Sequence, residues 1–91
     1  MAIGIYIRPE SMNAAQYDDI MARLSSAGQA RPAGRSYHAC FGTGTALAVF
    51  DVWDSQANFD KFGETLLPIL AQVGVNMGQP IVEPLHNSVA P

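Results

Sequence analysis

A chain of 91 residues that is 48% apolar and 14% charged, with a net charge of −3, is too hydrophobic for a disordered segment and too acidic for a general nucleic-acid or anionic-membrane binder. The length fits a single domain over residues 1–91 that buries about two-thirds of its unfolded surface, so a lone copy is expected to be only marginally stable. Cys40 is the only cysteine, which excludes an intrachain disulfide or thiolate zinc cluster. The start "MAIGIYIRPE" has no basic-then-apolar leader and no stretch reaches membrane-spanning length, so the expected compartment is the cytoplasm.

Residues 2–8 alternate, with Ile3, Ile5 and Ile7 on one side, and predict a strand stopped by Pro9. From Ala14 to Leu24 the apolar residues Ala14, Tyr17, Ile20, Met21 and Leu24 recur at helical spacing. Asn13 can cap this helix with Gln16 at the third position, and Gly28 can end it. After the loop "QARPAG", residues 35–41 and 46–53 predict a hairpin joined at Gly42-Thr43-Gly44-Thr45. Ser55 or Asp54 then caps a second helix with Phe59, Phe62, Leu66, Ile69 and Leu70 as its apolar stripe. Pro68 is expected to kink or restart that helix, and Gly74 to close it. The segment "PIVEPLH" predicts a last short strand, which Pro84 confines to a sheet edge.

The order β-α-β-β-α-β predicts an α+β, ferredoxin-like fold: a four-stranded antiparallel sheet of order 4-1-3-2 with both helices on one face. A tight turn at Thr43-Gly44 would pair Cys40 with Leu47, His38 with Val49 and Ser36 with Asp51. The nearly apolar side of the hairpin, with Tyr37, Ala39, Phe41, Ala46, Ala48, Phe50 and Val52, is expected under the helices. The bare side would then carry Ser36, His38, Cys40, Leu47, Val49, Asp51 and Trp53 with Gly4, Tyr6 and Arg8. That mixture is too apolar for water and too polar for an ordinary core, so a second copy is expected to cover it, forming a homodimer whose segment after Glu83 crosses to the partner.

His38 and Asp51 are the candidate catalytic pair. A carboxylate that holds one ring nitrogen leaves the other to take a proton from a ligand, although a buried neutral histidine bonded to a carboxylate is also a common structural device. Tyr6, Arg8, Ser36, Trp53 and His86 are the candidate ligand-binding residues. Each has a plainer alternative, such as core packing for Trp53, pairing to Asp51 or to the partner for Arg8, and a solvated end for His86. Cys40 reads as a small buried hydrophobe. Two histidines and scattered carboxylates have no metal-ligand spacing, and "TALAVFDVW" lacks the basic residues an RNA-reading strand needs. The expected ligand is a small apolar or aromatic molecule, with no metal, no nucleic acid and no membrane partner.

The segment "VFDVWDSQANFDKFGETLLPIL", with Asp51, Trp53 and the polar cap Ser55, resembles the strand-to-helix segment of the dimeric α/β-barrel superfamily, in particular its antibiotic-biosynthesis monooxygenase-like members. Over residues 34–88 the chain is similar to small uncharacterised bacterial proteins with a "YH" strand, a "VVDVWES"-type segment and a terminal "PVHN". The matching residues are Tyr37, His38, Asp51, Val52, Trp53, Asp54, Ser55, Leu85, His86 and Asn87. The resemblance implies a dimeric barrel and oxygen chemistry without a cofactor. The monooxygenase-like pattern often has a histidine where this chain has Phe62. The alternative reading is a metabolite-binding or structural dimer module without catalysis.

Overall fold

The computed structural model describes residues 1–90. Its elements are β1 (Ile3–Ile7), α1 (Ala14–Ser26), β2 (Arg35–Phe41), β3 (Ala48–Trp53), α2 (Gln56–Val73) and β4 (Ile81–Pro84). The four strands form one antiparallel sheet of order β2-β3-β1-β4, the expected ferredoxin-like arrangement with Pro84 on an edge strand. No helix among the described residues is long and apolar enough to cross a membrane.

Local chemistry sets the helix ends. Asn13 accepts from the Gln16 amide while the Gln16 side chain accepts from the Asn13 amide, a capping box that fixes where α1 begins and hence which residues it turns toward the sheet. Ser55 caps α2, and Gly74 closes it in the left-handed conformation. The helix runs through Pro68 without a restart, contrary to expectation. Pro68 is exposed, so water can satisfy the carbonyl that loses its amide partner.

Two expectations about the hairpin are corrected. Cys40 faces Val49 and His38 faces Asp51, two residues out of the expected register. The tight turn does not form because Thr45 and Leu47 leave the hairpin for Met12: the Met12 amide donates to the Thr45 carbonyl at 2.9 Å and the Leu47 amide to the Met12 carbonyl at 3.3 Å. Gly42, at φ 125°, makes the resulting wider loop possible, since a Cβ there would lie 2.6 Å from the Ala46 carbonyl oxygen.

The larger correction concerns the faces. The helices cover the side that carries Val49, Asp51 and Trp53, and the open side carries Tyr37, Phe41, Phe50 and Val52. The register between β1 and β3 sets Ile5 opposite Asp51 and Tyr6 opposite Phe50, so Ile3, Ile5 and Ile7 share a face with Asp51. That isoleucine row, together with Trp53, is what the apolar stripes of α1 and α2 bury. Trp53 is fully enclosed and packs edge-on against Phe59 and tilted against Phe62. A bulge between Arg35 and Tyr37 breaks the alternation of β2: Arg35 lies opposite Trp53, while Tyr37 lies opposite Val52.

Candidate active site

His38 on β2 and Asp51 on β3 are cross-strand partners beneath α1, and their side chains meet directly: His38 Nδ1 lies 2.6 Å from Asp51 Oδ1. The second carboxylate oxygen accepts the indole N–H of Trp53 at 3.2 Å. Tyr17 reaches down from α1 and places its hydroxyl 2.6 Å from His38 Nε2. With Asp51 accepting at Nδ1, the imidazole carries its proton there and Nε2 offers a lone pair, to which the Tyr17 hydroxyl donates. The donors thus converge on Asp51: Tyr17 donates to His38 and His38 to one carboxylate oxygen, while Trp53 donates to the other, a connected network from the protein's interior to the underside of α1. Asp51 is only 3% exposed, and no buried side-chain polar atom among the described residues lacks a partner. A carboxylate can occupy this apolar layer because both of its oxygens are engaged.

Burial pushes the Tyr17 phenol above its ordinary value; the neighbouring Cys40 adds to this, and the Arg35 guanidinium opposes it. Tyr17 therefore remains protonated at neutral pH, and its hydroxyl can donate to the lone pair at His38 Nε2. The Cys40 thiol is also raised, by burial first and then by Asp18, and stays in its unreactive form.

Tyr17, His38 and Asp51 border a cavity of about 60 Å³ between the sheet and the helices, otherwise walled mainly by apolar side chains from Ile7 to Met77 and reached by Arg35. Met12, Met21 and Met77 line it, and unbranched thioethers can rearrange around a larger guest.

The five ligand-binding candidates do not converge here. Trp53 lies in the covered layer but contributes by holding Asp51, with no exposed surface. Tyr6 and Arg8 are on the open face, where Arg8 donates to the Tyr6 hydroxyl at 3.3 Å, far from any pairing with Asp51. Ser36 is the exposed residue at the bulge and donates to the Val52 carbonyl at 3.4 Å instead of flanking His38. His86 is exposed beyond β4. Two residues that sequence reasoning did not place at the site are Tyr17 and Arg35. The signal for Tyr17 was present, a phenol within an otherwise aliphatic helical stripe. Arg35 gave none, because only the bulge brings it to this side.

No protein-family profile and no curated protein matches the sequence. Among solved structures, SnoaB, a cofactor-independent oxygenase from Streptomyces nogalater, superposes with a TM-score of 0.69 at 14% identity, over 99% of this chain and 98% of that one. A candidate antibiotic biosynthesis monooxygenase from Chloroflexus aurantiacus gives 0.70 at 13% identity over 99% and 98%, and one from Caulobacter crescentus gives 0.65 at 17% over 97% and 91%. At these identities the likeness is one of fold. The chain shares the ferredoxin-like fold of these proteins.

Proposed function

We propose that the chain forms a homodimer that binds a small apolar or aromatic molecule in the cavity beneath α1 and removes a proton from it with His38, in the manner of a cofactor-independent oxygenase. The observation that supports this most directly is the directed Asp51–His38–Tyr17 chain ending beside an apolar cavity. A substrate displaces the Tyr17 hydroxyl from Nε2 and gives that nitrogen its proton, while Asp51 stabilises the imidazolium that results. The carbanion left behind, if it sits on an activated methylene, reacts with dioxygen; one oxygen atom enters the product as a carbonyl and the other leaves as water. The SnoaB likeness makes such chemistry a natural first assay.

The dimer is assigned to the open face of the sheet, replacing the expectation that Leu47, Val49 and Trp53 form the interface. Tyr37 and Phe41 are 55% and 52% exposed there, beside Tyr6, Phe50 and Ile81, an aromatic patch of a kind that monomers seldom leave in water. Leu85 extends the edge by donating to the Ala2 carbonyl at 2.9 Å, and the segment beyond it is exposed and available to cross to a partner.

A thermal-shift series of phenols, quinones and hydrophobic acids tests binding, because a ligand that prefers the folded state raises the melting temperature. Oxygen consumption with each hit tests turnover. His38→Ala and Asp51→Asn are expected to abolish it in protein that remains folded. Hits that bind without turnover would establish the second reading, a binding module, which the short Tyr17 cap on Nε2 favours. A screen with no hits would overturn both.

A further inference from the structure

We infer that the cavity is built for an apolar carboxylate, with Arg35 as the residue that selects it. The inference rests on the reading of the cavity as a ligand site. Regular alternation along β2 would put Arg35 beside Tyr37 on the open face. The bulge at Ser36 reverses its direction, so that a cation reaches the wall of a cavity that is otherwise apolar but for Tyr17, His38 and Asp51. Among the described residues Arg35 makes no ion pair. The nearby carboxylate, Asp51, has one oxygen on His38 and the other on Trp53. The guanidinium instead has a long 3.4 Å contact to the Ala30 carbonyl and lies 5.8 Å over the Phe62 ring. Both contacts hold the planar fork in place yet leave donors to spare, since a guanidinium carries five N–H groups. A half-buried arginine steadied by an aromatic face, with donors to spare and its side chain on the wall of a largely apolar cavity, matches a planar anion on an apolar body. Its carboxylate would dock on Arg35 and its ring would lie toward the methionines and His38.

The test compares benzoate with benzamide, which share a shape and differ in charge, by calorimetric titration of the intact protein. Wild-type protein is expected to bind benzoate at least roughly tenfold more tightly than benzamide, the difference of a charge-assisted contact. In Arg35→Gln the ratio should fall to about one, while Arg35→Lys, with the charge but not the fork, should fall between. The ratio within each variant cancels any loss of folded protein, so destabilisation by removing the contact with Phe62 cannot imitate the result. Equal binding by the wild type, or a preference that survives in Arg35→Gln, would overturn the role of Arg35 while leaving the cavity a ligand site. Binding of neither probe would overturn the cavity reading and this inference with it.

Discussion

The two faces of the sheet differ in the opposite sense from what their composition suggests. The covered face holds the histidine, the aspartate and an arginine, whereas the open face is mostly aromatic and aliphatic. A polar group is tolerated inside when each of its atoms has a partner, and Asp51 has its two. An apolar residue is left outside when a better-placed apolar set takes the interior. Trp53 and the isoleucine row of β1 decide that competition, because they can be buried together only on the side of Asp51.

Truncating Trp53 breaks the comparison most severely. Trp53→Ala removes the largest enclosed side chain and the indole donor to Asp51, with an expected cost of about 3–5 kcal/mol. A small domain near the low end of the usual stability range should then be largely unfolded at 37 °C by circular dichroism. A folded variant would mean that the aromatic cluster of α2 does not anchor this face.

Asp51→Asn is the next largest. The amide has one acceptor oxygen for two N–H groups, and its own NH₂ turns toward a donor, so about 1–3 kcal/mol should be lost in urea titration. A variant as stable as the wild type would show that the carboxylate is not needed to satisfy His38 and Trp53.

Tyr17→Phe should cost less, about 0.5–1.5 kcal/mol, because water in the cavity can replace the hydroxyl at Nε2. Its pH dependence carries more information. The folded-state phenol is held above its unfolded value, so the stability it contributes is fully present below pH ~10 and is lost as the pH rises through the folded pKa. Between pH 9 and 11 the wild type should lose stability more steeply than Tyr17→Phe. Parallel curves would place the phenol in water.

On the open face the expected effect on the protomer is smallest. Phe41→Lys should leave unfolding of the protomer within about 0.5 kcal/mol, yet light scattering should report a fall in mass from two chains to one. An intact dimer would move the interface elsewhere.

Element order, caps and sheet order were legible because each depends on local spacing: the Ile3-Ile5-Ile7 alternation, the Asn13–Gln16 box, Ser55, Gly74 and the proline that keeps β4 at the edge. The hairpin faces were not, because both of its sides are rich in apolar residues and neither reads as the solvent side. Only the register against β1, a contact between residues about 45 apart in the chain, resolves them. His38 and Asp51 were found as a pair even so, since a shift of two residues preserves which side a side chain takes. Tyr17 and Arg35 needed the helix docked and the bulge formed.

The bulge at Ser36 has an evolutionary consequence. On an edge strand, closing the bulge with Ser36 retained would set Ser36 opposite Trp53 and carry Arg35 to the open face, whereas deleting Ser36 would leave Arg35 where it is; in both cases β3, β1 and the register from Tyr37 onward stay as they are. The charge of the cavity is thereby separated from the rest of the fold by whether one local bulge forms. Descendants of this scaffold could exchange a charged guest for a neutral one without repacking a core, and two chains whose sequences align without gaps across β2 need not present the same arginine to the same space.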